Sequence, residues 1–212
     1  MKHFCFFAVL AVVPAQAQMH DLGIGGVWLP VHVADLAPQG DAPFQPWTRQ
    51  KFQENHAMTQ SETDSRCLPP GVPRIMLMAR PLQIVQEANR IVLLYEGGAH
   101  IWRQVWMDGR AHPKEPNPDW MGHSIGHWEG GTLIVDSVGF NDRTWLDDAG
   151  HPHTEQLHLI EKYTRTGPGA MKYEVVIDDP GAYTKTWTSS SSLSFRGGER
   201  LAEDICLDKL SK

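Results

Sequence analysis

From Pro81 onward the chain is a succession of short apolar-rich runs punctuated by turn residues. Leu82 to Glu87, Arg90 to Glu96 and Ala99 to Met107 read as strands, separated by Ala88-Asn89 and Gly97-Gly98 and closed by Asp108-Gly109-Arg110. His112 to Pro118 is a proline-rich connection. Gly122 to Trp128 and Thr132 to Phe140 then meet at Gly130-Gly131, and Asn141 to Pro152 is a longer loop. Glu155 to Arg165, Met171 to Asp178, Tyr183 to Arg196 and Glu199 to Leu207 complete the strands, with turns at Gly167, Asp179-Pro180-Gly181 and Gly197-Gly198. Ahead of this region, Gly26-Val27-Trp28 is a short strand. A helix begins at Pro46, with Trp47, Phe52 and Met58 as its apolar points. The prolines of Cys67 to Arg74 fix the backbone and remove donors, which excludes regular structure there. Residues 36–80 therefore hold the helix and a proline-rich segment. About nine or ten strands without intervening helices predict a mostly β chain, a single antiparallel up-and-down β-barrel with one short helix. Closure would remove the exposed edges of such a sheet.

The hairpin at Gly130-Gly131 has the sharpest consequence. With a two-residue turn, Glu129 faces Thr132, His127 faces Ile134, Ile125 faces Asp136 and His123 faces Val138. His123, Ile125, His127, Ile134, Asp136, Val138 and Phe140 then share one face, with both histidines diagonal to Asp136. A His–Asp pair on an apolar surface suits acid–base work, because the carboxylate orients the imidazole and supports its protonated form. With a three-residue turn, Asp136 would instead oppose Ser124. Gly122-His123-Ser124-Ile125-Gly126 also fits the G-x-S-x-G of serine hydrolases, but no apolar strand precedes it and no helix follows.

A second polar group, His151-Pro-His153-Thr-Glu155-Gln-Leu-His158, has three histidines and a glutamate in eight residues. On a strand His153 and Glu155 would share a face, as a second acid–base pair. The alternative is a divalent-metal site using His153, Glu155 or His158. No cofactor is favoured. Eight tryptophans supply aromatic surface. Trp102, Trp128, Phe140, Trp145 and Trp187 are candidate ligand contacts suited to apolar or aromatic molecules, and Asn141 is a candidate polar contact. Asn141, Asp142 and Asp147 could equally form Asx turns.

Composition adds a compartment. Lys2 and His3, the apolar run Phe4 to Val13 and Ala15-Gln16-Ala17 read as a signal peptide over residues 1–17, leaving residues 18–212 as one domain. The apolar run is too short to span a bilayer, so no membrane anchor is expected after cleavage. The mature protein is placed in the periplasm or outside a bacterial cell. Cys5 leaves with the signal, and Cys67 and Cys206 remain to form one disulfide in an oxidising compartment. The formal net charge of the chain is −6, with no Lys/Arg cluster, which argues against nucleic acid as a partner.

Gly26-Val27-Trp28 resembles the G-x-W of the first lipocalin strand, whose tryptophan closes one barrel end, and implies lipocalin-like character. Cys67-Leu-Pro-Pro-Gly-Val-Pro-Arg74, Asp108-Gly-Arg-Ala-His-Pro113, Gly122-His-Ser-Ile-Gly-His-Trp-Glu-Gly130, Val135-Asp-Ser-Val-Gly-Phe-Asn141 and Asp178-Asp-Pro180 with Trp187 resemble a family of secreted bacterial proteins without an established activity. That resemblance runs from about Gly26 to Cys206 and departs at Gly131, where the family carries an acidic turn residue. It implies export and domain limits but no reaction. The expected function is a cofactor-independent lyase, isomerase or hydratase whose buried His and acidic residues act on a small apolar or aromatic molecule held, against tryptophans such as Trp102 and Trp106, in the barrel interior. His123 or His127 would be the base, Asp136 its orienting partner, and His153 with Glu155 a second pair. A non-catalytic carrier of small hydrophobic ligands is the alternative, and a metal-dependent or serine hydrolase the third reading.

Overall fold

A computed structural model describes residues 23–37, 42–58 and 61–206. The segment read as a signal peptide, residues 18–22 and Leu207 lie outside them. Nine strands close into one barrel in sequence order: β1 (Gly26–Pro30), β2 (Leu82–Gln86), β3 (Arg90–Tyr95), β4 (Trp102–Trp106), β5 (His123–Glu129), β6 (Thr132–Val138), β7 (His158–Gly167), β8 (Ala170–Asp178) and β9 (Trp187–Phe195). The single mostly β barrel expected from the strand spacing is what forms. Residues 199–205 are not a strand: β9 already pairs with β1, so the ring is complete before they are reached.

Strands in a closed ring can alternate in direction only if their number is even. Nine strands force one parallel contact, and it falls between β4 and β5, where Val105 pairs with Ser124 and Trp106 with Ile125. All other neighbours are antiparallel. A parallel pair needs a long crossover. Residues 107–122 supply it and run over the outside of the hairpin β5–β6, where Pro116 packs against Gly139. In the hairpin, Glu129 pairs with Thr132, His127 with Ile134, Ile125 with Asp136 and His123 with Val138, the register of a two-residue turn. Gly130 has φ +56°, a left-handed conformation that a glycine adopts without strain.

One end of the barrel is closed by the tight turns at residues 87–89, 130–131 and 168–169. The other end is covered by a cap built from the described residues of the long connections between β1 and β2, β6 and β7, and β8 and β9. Within the cap lie α1 (Pro46–His56), α2 (Glu62–Ser65) and a 3₁₀ turn at Arg74–Met76, while α3 (Gly97–His100) replaces the expected Gly97-Gly98 turn. Helix α1 starts at Pro46, whose fixed φ suits a first helical position. Tertiary contacts hold it: Trp47 Nε1 donates to Gly181 O at 2.9 Å and Asn55 Nδ2 to Gly150 O at 2.9 Å. The Arg74 guanidinium ties the cap together, reaching Asp64 (2.6 Å), Asp148 (2.8 Å) and Ser61 (3.0 Å). A Cys67–Cys206 disulfide joins this region to the C-terminal segment. Among the described residues no helix is long and apolar enough to cross a membrane.

The barrel axis is filled. Trp28, Leu82, Ile91, Leu133, Leu159, Tyr163 and Tyr173 are all buried. At its centre Arg103 binds Glu161, with the side chains 1% and 0% exposed. Tyr163 Oη and Tyr173 Oη donate to Glu161 Oε1 at 2.9 and 3.0 Å, and Arg103 Nη2 and Nε donate to Ser137 Oγ (2.6 Å) and Ser124 Oγ (2.9 Å). Burial, reinforced by the Glu161 charge, pushes the Tyr163 and Tyr173 hydroxyls well above the usual tyrosine range, so they stay donors.

Candidate active site at the parallel seam

Ser124 and Ser137 point inward to Arg103, so the opposite face of the β5–β6 hairpin, with His123, Ile125, Ile134 and Asp136, is the outer face. The histidine–aspartate cluster lies outside the barrel, partly covered by the crossover. This corrects the expectation of buried catalytic groups inside it. Phe140 does not join that face, since Gly139 at φ +73° turns the chain and Phe140 enters the core. His127 is well exposed and pairs with Glu129 Oε1 at 2.9 Å rather than with Asp136.

The residue that completes the cluster, His112, arrives on the crossover. Asp136 Oδ1 accepts from His112 Nε2 at 3.0 Å and from His158 Nε2 at 2.8 Å. His112 Nδ1 in turn faces His123 Nδ1 at 2.8 Å. A carboxylate only accepts, so both Nε2 atoms carry protons. With His112 neutral its Nδ1 is an acceptor, and His123 donates Nδ1–H to it. The lone pair of His123 is then on Nε2. Burial, the neighbouring His112 and the Arg110 cation push the His123 pKa below its ordinary value. Arg110 lies on the Trp106 ring, 3.5 Å from its centre, and is held by Asp108.

His123 also lines a cleft of about 500 Å³ along the β4–β5 seam, together with Trp102, Trp106, Asp119, Met121 and Gly122. Trp102 and Trp106 project outward, and Trp102 is 58% exposed. They border this cleft rather than the barrel interior expected from the sequence. The seam explains the hydrolase-like motif. A Cβ on Gly126 would stand 2.8 Å from Val105 Cγ1 and Met107 Sδ, and one on Gly122, at φ +66°, would meet the Phe140 ring at 2.6 Å. Ser124 between them is 1% exposed and bonded to Arg103. Both glycines permit close packing around an inward-facing serine.

The second expected group does not assemble as expected. Strand β7 begins only at His158, so His153 and Glu155 do not share a strand face. Glu155 sits exposed in a turn, and His158 belongs to the Asp136 cluster instead. His153 is buried: Nδ1 donates to Thr154 O (3.2 Å) and Nε2 accepts from Thr144 Oγ1 (2.7 Å). Burial pushes its pKa down. Among the described residues one His/Asp cluster has the spacing of a metal site, Asp35, Asp147 and His151. Asp147 is already engaged, accepting from His151 Nδ1 (2.7 Å), Leu36 N (2.7 Å) and Gly150 N (3.1 Å), while His151 Nε2 is buried without a hydrogen-bond partner among the described residues. Trp128 packs against the core, and Trp187 packs on Tyr183 and His151 in the cap. Trp145 lines a separate cap cleft. Asn141 Oδ1 accepts from Arg143 N at 3.1 Å, the Asx turn weighed as its alternative role.

Because His153 is neutral when folded but protonates near pH 6.5 when unfolded, the unfolded state binds more protons below that value. The stability conferred by a neutral His153 is complete above about pH 6.5 and is lost as pH falls toward its lower folded pKa. Urea midpoints should therefore fall between about pH 7.5 and about pH 5.5, and His153→Gln should flatten the fall. An unchanged slope in the variant would exclude His153 as a source.

Neither a model of a known protein family, nor a curated protein, nor a solved structure matches this chain significantly.

Proposed function

We propose that the protein is a cofactor-independent acid–base enzyme that moves protons on a small apolar or aromatic substrate held in the seam cleft, as a lyase, isomerase or hydratase does. The observation that carries this reading is the unbroken hydrogen-bonded line from Asp136 through His112 to His123, ending at a cleft bordered by two tryptophans. His123 Nε2 takes a proton from substrate, and its Nδ1 proton passes to His112 Nδ1. The new charge then rests on His112, against the Asp136 carboxylate, while His123 returns to neutrality. Reversal delivers the proton to another substrate atom. His123 is the catalytic residue; His112, Asp136 and His158 position and support it. The tryptophans supply an aromatic-compatible wall. Export remains part of this reading, and the disulfide is consistent with an oxidising compartment.

The test is deuterium incorporation from D₂O at the α-carbon of a panel of aryl ketones and cyclic enones, followed by proton NMR. His123→Ala should slow exchange by about 10²–10⁴-fold, and Asp136→Asn should lower kcat while the fold persists. Activity should rise with pH through the depressed His123 pKa, and Arg110→Ala should move that midpoint upward. Exchange by the wild type no faster than by His123→Ala across the panel would sink the proposal.

A further inference from the structure

We infer that a second cleft, in the cap, binds a small aromatic acid: a planar apolar body carrying a carboxylate or similar anion. This does not depend on the seam site. The cleft is about 310 Å³ and lies between α1 and the β6–β7 connection. Helix α1 borders it with Trp47, Lys51 and Asn55, and Met58 follows just beyond the helix end. Steps of four residues place Trp47, Lys51 and Asn55 along one helical stripe, which Met58 extends past the helix end.

Two features of the stripe point to a ligand. Trp47 is 50% and Met58 51% exposed, so two of the large exposed apolar side chains border one concavity. Clustered apolar exposure of this kind marks binding surfaces, whereas scattered exposure does not. Trp145 provides a third apolar wall, with the Arg74 guanidinium 5.8 Å from its ring centre. The charges follow a similar logic. Lys51 and Arg143 both border the cleft, against the single carboxylate of Asp142. Lys51 has only a loose, exposed contact with Glu54 at 3.5 Å. The Arg143 guanidinium rests 4.6 Å from the Trp120 ring centre and makes no hydrogen bond among the described residues. A guanidinium fork without a carboxylate suits a planar anion.

The buried floor is polar but neutral, and its groups are engaged with one another. Asn55 Nδ2 is committed to Gly150 O, and the Thr144 hydroxyl to His153 Nε2. Charge recognition therefore falls to Lys51 and Arg143, and shape recognition to Trp47, Met58 and Trp145. A cationic ligand would meet an excess of positive charge, and a purely apolar one would leave both cations unused.

The probes are 2-naphthoate and its uncharged analogue 2-naphthalenemethanol, titrated against the full-length protein by tryptophan fluorescence and calorimetry. Naphthoate is expected to bind with a Kd below about 1 mM, at least about 10-fold tighter than the alcohol. Lys51→Gln with Arg143→Gln, both at the surface, should reduce it to the level of the alcohol. Trp47→Ala should weaken both probes, and His123→Ala should leave both unchanged. The proposal is overturned by absence of saturable naphthoate binding up to about 1 mM, by equal affinity for the two probes, by undiminished binding in the Lys51/Arg143 variant, or by loss of binding in His123→Ala. That last result would assign the binding to the seam cleft.

Discussion

Replacing Glu161 with alanine is expected to destabilise the barrel by about 3–5 kcal/mol, enough to unfold a marginally stable domain. Glu161 and Arg103 are fully buried at the centre of the molecule. The Arg103 cation is retained there because Glu161 offsets the burial that would otherwise drive it toward neutrality. Removing the carboxylate leaves a guanidinium with only serine oxygens as acceptors, and deprives Tyr163 and Tyr173 of theirs. Each unmet polar group adds its desolvation penalty. The control is the double variant Arg103→Met with Glu161→Met, which removes both charges and keeps apolar volume. It should be more stable than Glu161→Ala, because the cost lies in the orphaned charge rather than in the loss of attraction. Urea denaturation of the two variants and wild type decides it. A Glu161→Ala cost below about 1 kcal/mol, or a double variant no better than the single, would show that water reaches Arg103.

The second large effect is expected from the disulfide. Cys67 and Cys206 are separated by 139 residues. In the chain-entropy model a loop of this length lowers the free energy of the folded state, relative to the unfolded chain, by about 5 kcal/mol. Measured losses for native disulfides fall at about 2–5 kcal/mol. Cys67→Ser with Cys206→Ser, or reduction by a thiol, should lower the urea midpoint accordingly. Two further ties moderate the loss: Ala202 N donates to Glu96 Oε2 at 2.9 Å and Asp204 N to His100 Nε2 at 2.6 Å. These local contacts hold the C-terminal segment to α3 but do not restrict the unfolded chain. Identical denaturation of oxidised and reduced protein would rule out the covalent link as a stabilising element.

Short-range chemistry made much of this protein legible in its sequence. Strand-length runs marked the strands, and the Gly130-Gly131 turn set the register that places His123 and Asp136 on one face, whereas Gly97-Gly98 opens a short helix. Pro46 marked the start of α1. With Cys5 assigned to the expected signal peptide, Cys67 and Cys206 could make only one intramolecular bridge, and Cys67–Cys206 is formed. Alternation, however, tells which residues share a face, not which face meets the axis. In this hairpin both faces are mixed: Leu133 and Val135 are buried on the same inward face as Ser124 and Ser137. Ser124, Gly126 and Ser137 face inward because the core carries an Arg103–Glu161 pair that needs polar neighbours. Ile125, Ile134 and Val138 face outward because the crossover covers that surface. His112 belonged to a motif already noticed, Asp108 to Pro113, but the motif carries no signal of where its proline-rich chain goes. Nine strands cannot alternate all the way around a ring, so one pair must run parallel; only the closed barrel shows that the pair is β4–β5 and that residues 107–122 make the crossover. That crossing places His112 between His123 and Asp136. Neither the hairpin nor the crossover makes the site alone; it exists only where closure of the barrel brings one across the other.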